Sequence, residues 1–255
     1  VMTSATLSGT DFNFFIDEIG LNQSDFTIKT NQLSSPFDYK NNCKVMLAAD
    51  IPDYTKTGEL KVQAEIADYL FETIKASQGR ALVLFTSYAQ QRGVYNILAP
   101  RLAKEGIQVL GHGITGGRNN ILETHKNSEK SCILGVNSFW EGVDIQGDSL
   151  SLLIIVRLPF NPPNTPTTEA KFERIEKEGK NPFTDYSLPQ AIIRFKQGFG
   201  RLIRSKTDKG VVCVLDPRIW SKSYGKKFLN ALPPTDIRRL TKEEMSAEIK
   251  NFLNQ

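Results

Sequence analysis

Val211-Val212-Cys213-Val214-Leu215 is apolar at every position, so as a strand it has no face that can meet water. Similar runs recur at 44–49, 81–85, 107–110, 132–136 and 152–156. Helical periodicity lies between several of them, at 59–76, 90–104 and 190–197. Strands alternating with helices predict an α/β fold: a parallel central sheet covered on both faces. The rhythm breaks at 160–189, where Pro159, Pro162, Pro163 and Pro166 precede a charged helical run at 168–177. That segment is expected to be a proline-rich helical insertion at the sheet's functional edge. The tail, 241–253, opens with Thr241-x-x-Glu244 ahead of Met245, Ile249 and Phe252, which predicts a capping box and an amphipathic helix.

A length of 255 residues with 40% hydrophobic content suits one large domain or two small ones. The net charge of +4 permits a nucleic-acid partner without demanding one. Cys43, Cys132 and Cys213 are far apart and odd in number, which gives neither a disulfide framework nor iron–sulfur or zinc spacing and points to a reducing, cytoplasmic compartment. No apolar run approaches the length needed to span a membrane, so none is expected as a partner. The first residues read as the end of a strand and its loop, and the chain is expected to be part of a longer protein.

The stretch Gln197-Gly198-Phe199-Gly200-Arg201-Leu202-Ile203-Arg204 concentrates possible chemistry. If helical, it places Arg194, Gln197, Arg201 and Arg204 on one stripe. A glycine inside a helix costs about 1 kcal/mol relative to alanine, so two of them suggest that another backbone or a ligand comes close. Paired guanidinium forks match phosphate oxygens and suit a polyphosphate. The alternative is a solvated basic face followed by a turn.

Two strand-to-loop junctions add candidates. After the run at 132–136, Phe139-Trp140-Glu141-Gly142-Val143-Asp144 supplies acids that can bond a ribose and a glycine that admits backbone to a ligand. An ordinary loop with a packed tryptophan reads equally well. Thr86, Ser87 and Tyr88 end the run at 81–85. Either hydroxyl can cap the next helix, and a helix N-terminus carrying hydroxyls can also bind a nucleic-acid phosphate.

Taken in order, Ser4-Ala5-Thr6-Leu7, Ser35-Pro36-Phe37-Asp38-Tyr39, Leu84-Phe85-Thr86-Ser87-Tyr88, Ser138-Phe139-Trp140-Glu141-Gly142-Val143-Asp144, Arg157-Leu158-Pro159-Phe160 and the 197–204 stretch resemble DinG-type superfamily 2 helicases, relatives of the XPD group. The resemblance covers essentially the whole chain. It implies the second RecA-like motor domain, 1–255, entered through motif III at 1–10. It further implies arginine fingers at Arg201 and Arg204 acting on ATP and Mg²⁺ held mainly by an absent first motor domain, with Gln197 positioning phosphates or water. Glu141, Gly142, Asp144 and Gly200 would contact the nucleotide. Thr86, Ser87, Tyr88, Ser138 and Arg157 would hold single-stranded DNA, with 5′ to 3′ movement. An upstream exonuclease domain, found in some members, would instead make the chain a nucleotide-responsive DNA-binding module.

Some features mimic other sites. Phe14-Phe15-Ile16-Asp17-Glu18 looks like a Walker B strand, but Phe12, Phe15, Ile16 and Ile19 have helical spacing after Thr10-Asp11, so a helix with solvated acids is expected. The glycine-rich stretch 112–118 lacks a P-loop ending and reads as a turn. His112 and His125 lack ligand spacing; both are expected exposed and no metal site is expected.

Overall fold

The computed structural model describes residues 1–4, 12–54, 57–141 and 150–253. In chain order its strands are β1 (Cys43–Ala48), β2 (Ala81–Phe85), β3 (Gln108–Gly111), β4 (Ser131–Val136), β5 (Leu152–Ile155), β6 (Gly210–Val214) and β7 (Asp236–Leu240). Its α-helices are α1 (Asn13–Glu18), α2 (Tyr39–Asn42), α3 (Glu59–Ala76), α4 (Tyr88–Ala103), α5 (Arg118–Asn127), α6 (Pro166–Lys177), α7 (Leu188–Phe199), α8 (Arg218–Ser221), α9 (Gly225–Asn230) and α10 (Lys242–Leu253).

The strands form one seven-stranded sheet in the order β3-β4-β2-β5-β6-β1-β7, with every pairing parallel. All carboxyl ends therefore meet at one edge, where α/β sheets gather ligands. Alternate strand residues feed two cores. Val83, Leu134, Ile154 and Cys213 pack under α3, α4 and α10, whereas Leu82, Leu84, Ile133, Ile155 and Val212 pack under α7 and the β4–β5 connection. Double coverage explains why these strands are apolar throughout rather than alternating. The three cysteines are buried thiols; burial pushes those of Cys43 and Cys132 up to about 12, which leaves them inert at neutral pH.

Several elements depart from the sequence expectations. β7 and α5 have no counterpart among the predicted elements. β7 is a short edge strand whose exposed Arg238 and Arg239 discourage edge-to-edge pairing, so its composition does not look strand-like. The expected exposure of His125 is wrong: its ring is 3% exposed and its Nδ1 lies 2.7 Å from Ser131 Oγ, because α5 lays that face on β4. The Walker B mimic is helical, as α1. Its Glu18 is not simply solvated, for it pairs with Lys171 of α6 at 2.6 Å. The proposed cap at Thr10-Asp11 lies outside the described residues. Stretch 112–118 is a turn closed by a bridge between His112 and Gly116. Among the described residues no helix is long and apolar enough to cross a membrane.

The tail forms the reciprocal box read from its sequence. Thr241 N–H donates to Glu244 Oε2 at 2.8 Å, and Glu244 N–H donates to Thr241 Oγ1 at 3.3 Å. Met245, Ile249 and Phe252 then face the core. Replacing Thr241 by alanine should cost about 1 kcal/mol in denaturant titration, with serine close to the native value. An unchanged midpoint for Thr241→Ala would show that α10 is held by packing alone.

Candidate functional site

Residues 137–141, which follow β4, pack beside β2 on the face occupied by α7. Gly135 of β4 permits this: a Cβ there would lie 2.5 Å from Phe139 Cβ, so only glycine lets Phe139 fold back onto the sheet. Trp140 follows, wholly buried, and its Nε1–H donates to Phe85 O at 2.8 Å. A buried indole N–H left without an acceptor would cost about 1–3 kcal/mol. The bond therefore sets both the ring's depth and its direction.

Three residues of the α7 segment converge on that tryptophan. The Arg194 guanidinium lies 5.4 Å from its ring centroid, and Arg201 Nη2 donates to its carbonyl at 3.4 Å. Between them, a Cβ on Gly198 would sit 3.1 Å from Leu84 Cδ1 and 3.2 Å from Trp140 Cε3. The close approach signalled by glycine in this stretch is thus to core side chains, and this corrects the expectation of a backbone or ligand. Gly200 has no such constraint: its Cβ would find Lys196 O at an ordinary 3.4 Å.

The expected helical stripe is also shorter than predicted. The helix ends at Phe199, with Gly200 capping it through its N–H to Lys196 O at 2.9 Å. Arg194 and Gln197 remain on the helix, while Arg201 and Arg204 lie in the turn beyond. Leu202 and Ile203 are each 3% exposed, so the chain leaves the helix in order to bury them. Arg204 Nε reaches Arg201 O at 3.5 Å. Its backbone N–H and that of Ser205 both donate to Asp208 Oδ2, at 2.8 and 2.9 Å. Burial acts to raise the Asp208 carboxyl, but the Ser205 hydroxyl, these two N–H groups and the Arg204 charge outweigh it and hold it below the usual range. Arg204 consequently belongs to a carboxylate-clamped turn.

Glu141 is exposed and acts electrostatically on Arg194, opposing the lowering that burial imposes on that guanidinium. Gln197 is half-buried on α7. Gly142 and Asp144, the remaining nucleotide candidates, lie outside the described residues, as do Ala5, Thr6 and Leu7.

The nucleic-acid candidates occupy the carboxyl edge of the sheet. Ser87 caps α4, accepting from Gln90 N–H at 3.4 Å; its oxygen is engaged, yet its O–H can still donate outward. Tyr88 is 48% exposed. Its ring lies 5.8 Å from His112, which in turn lies 5.0 Å from Phe139. Thr86 and Ser138 are half-buried at the ends of β2 and β4. Arg157 follows β5, with its guanidinium 4.6 Å from the Tyr54 ring centroid. With the Gln90 amide turned to suit the network, its oxygen accepts from Arg157 Nε at 3.2 Å and Nη2 at 3.3 Å. Tyr54 donates to Leu215 O at 2.8 Å, and burial raises its phenol well above the usual value, aided by Asp216 and opposed by Arg157 and Arg218.

Sequence reasoning missed Tyr54, Gln90 and His112 as neighbours of this edge, whereas Asp216 and Arg218 directly follow a fully apolar strand, and its carboxyl end reads as near a possible site. The two candidate groups are separate. α7 returns toward the strand amino edge, where Phe199 stacks 5.6 Å from Tyr39 and Lys206 O accepts from Asn42, the residue before β1. Trp140 links them, bonded to Phe85 beside Thr86 and to Arg201 beside the arginine turn.

Comparison with known proteins agrees with this architecture. Residues 70–235 match the helicase C-terminal domain family. The chain is 42% identical, over 98% of its length, to a 3′-5′ exonuclease DinG of Bacillus subtilis, covering 27% of that protein. It is 37% identical, over 94% of its length, to an ATP-dependent DNA helicase YoaA of Haemophilus influenzae, covering 36% of it. The chain thus spans about a quarter to a third of the length of these curated relatives. An XPD helicase structure superimposes with a TM-score of 0.61 at 22% identity, covering 80% of this chain and 36% of that one, and identifies the fold as RecA-like.

The contact at Gly198 is testable. Alanine there gains up to about 1 kcal/mol of helix propensity but drives a methyl against a ring pinned by its own hydrogen bond, an overpacking cost of about 1–3 kcal/mol. Gly198→Ala should therefore be net destabilising in denaturant titration, and a more stable variant would show that Trp140 can yield.

Proposed function

The chain belongs to the helicase C-terminal domain family, and from that premise we propose that it is the second motor domain of an ATP-dependent DinG-type helicase or translocase acting on single-stranded DNA. The observation that carries this reading is the pairing through Trp140 of two chemically different groups. One is an arginine turn suited to phosphoryl oxygens; the other is a strand-end edge of hydroxyls, an aromatic ring and one oriented guanidinium. The names of the relatives, helicase and exonuclease, support a nucleic-acid substrate.

The donor chemistry fits the phosphates of ATP and leaves Mg²⁺ to another domain. The guanidinium forks of Arg201 and Arg204 match phosphate oxygens, and each includes a long hydrogen bond to a backbone carbonyl, at 3.4 and 3.5 Å, that a phosphate oxygen can replace. Among the described residues no group of three His, Cys, Asp or Glu is gathered to hold a metal. ATP and Mg²⁺, bound mainly on the first RecA-like domain, would supply the transferring γ-phosphoryl group. Arg204, steadied by Asp208, and Arg201 would stabilise charge developing on it, and Gln197 would orient phosphate or water. Glu141 and Gly200, with Gly142 and Asp144, would border the nucleotide. Along the other edge Thr86, Ser87 and Ser138 would bond DNA phosphates, with Tyr88 and Arg157 flanking the strand. The three buried thiols and the absence of iron–sulfur spacing suit a cytoplasmic protein whose cluster, where one exists, is held elsewhere.

A second reading is favoured by the 42% identity to a protein named as an exonuclease. In it the same two groups make a nucleotide-responsive DNA-binding module for a 3′-5′ nuclease domain upstream.

In the full-length protein, Arg204→Ala should lower DNA-stimulated ATP turnover by about 10³-fold or more while nucleotide affinity changes far less, as expected for charge needed in the transition state. Arg204→Lys should restore only part of the rate. Equal losses in affinity and turnover would sink the finger assignment. For the nuclease reading the same variant should alter the nucleotide response and spare DNA cleavage.

The chain by itself, lacking a P-loop lysine and a metal-holding acid pair, should release phosphate at the background rate even with saturating single-stranded DNA. Turnover by contaminant-free protein would overturn the two-domain mechanism.

A further inference from the structure

Phe160, Phe172, Phe183 and Tyr224 converge around a cavity of about 420 Å³ that opens beside the carboxyl edge of the sheet. Glu176, an acceptor, and Arg218, a donor, also line it, with the polar side chains of Asn161, Asn181 and Ser187. Arg218 is not a free surface charge. Asp216, 1% exposed, accepts from its Nε at 3.0 Å and its Nη2 at 2.6 Å, and the guanidinium lies 5.4 Å from the Phe160 ring centroid. Asp216 also accepts from Leu158 N–H at 2.8 Å, so one buried carboxylate fixes both the cavity's cation and the segment that leads into it.

The aromatic rings differ in what they have left to offer. Phe160 is engaged by Phe183 at 5.7 Å, Tyr224 at 5.8 Å and Phe228 at 5.8 Å, besides Arg218. Phe183, in contrast, is 39% exposed, and its ring is held by Phe160 and Tyr224 with surface remaining toward the cavity. A bulky aromatic kept at the mouth of a polar-rimmed cavity contributes little to the core and much to any flat molecule that stacks on it.

We propose that this cavity is a nucleobase subsite in which one base of single-stranded DNA, splayed from its neighbours, stacks on Phe183. The inference rests on the DNA-binding reading above. Arg157, the oriented guanidinium at the proposed backbone track, and Phe160 of the cavity belong to one short segment, Arg157-Leu158-Pro159-Phe160, so a strand lying on the former passes the latter. The volume accommodates a base. An aliphatic protein side chain would offer nothing to the N–H groups that Arg218 keeps beside its bonds to Asp216 or to the exposed Glu176 carboxylate, whereas the rim of a base presents both acceptors and donors to them. Stacking on an aromatic face tolerates any sequence, as a tracking protein requires.

The test crosses a protein change with a DNA change. Full-length protein and its Phe183→Ala variant are titrated with an all-thymidine strand and with a strand of the same length made wholly of abasic residues. Phe183→Ala is expected to lose about tenfold in affinity for the thymidine strand and essentially nothing for the abasic strand. The slope of affinity against salt should not change, because no phosphate contact is removed, whereas Arg157→Ala should reduce it. Phe183→Trp should keep the affinity and report stacking by quenched tryptophan fluorescence with the thymidine strand only. Equal losses on both strands would make Phe183 a structural residue, and no loss on either would make the cavity a site for something else, such as a protein loop; both overturn the proposal while leaving the motor reading intact. Failure of the unaltered protein to bind either strand would instead bring down the DNA-binding reading on which the subsite depends.

Discussion

The hydrogen bond from the Trp140 indole to Phe85 O holds the candidate site together. The bond is buried, so breaking it exposes no water to replace the lost partner, and its geometry leaves the ring one depth and one orientation. Several neighbours on that side of the sheet are arranged around the ring and its segment. Phe139 folds back because Gly135 makes room, Gly198 lets α7 approach, and Arg194 lies over the indole while Arg201 reaches its carbonyl.

That ring lies between two different electrostatic environments. Toward the strand amino edge, Arg201 and Arg204 belong to a turn clamped by Asp208, and each guanidinium reaches a backbone carbonyl. Toward the carboxyl edge, Arg157 is oriented by the Tyr54 ring and the Gln90 amide, and Arg218 by buried Asp216. Cations held in one orientation lose less side-chain entropy when an anion arrives than freely rotating ones.

Parts of this were readable from local pattern. The six apolar runs could be nothing but covered strands, and all six are, within a residue or two. Thr241 and Glu244 read as a capping box because both partners lie within one turn. In contrast, β7 hid behind Arg238 and Arg239, since an edge strand needs pairing on one side only and its solvent-facing side chains carry no apolar signature. His125 looked like a surface residue, for its partner Ser131 belongs to the next strand and nothing in the helix's own sequence announces it. The arginine stripe failed for a similar reason. Periodicity continues a helix through Arg204, but the burial of Leu202 and Ile203 against the sheet ends it at Phe199.

The sequence by itself determined the class of fold and the residue types available for chemistry, because hydrophobic period and capping act over a few neighbouring residues. It also signalled, through the glycines of 197–204, that something must pack closely there. Only the tertiary structure decided that this something is Trp140, that the arginines lie beyond the helix, and that Phe183 stands at the mouth of a polar-rimmed cavity. Those outcomes depend on partners such as Phe85 and Trp140, 55 positions apart, or Leu158 and Asp216, 58 apart. Which of many possible partners a buried polar group takes is settled by the packing of the whole chain, and no local pattern records it.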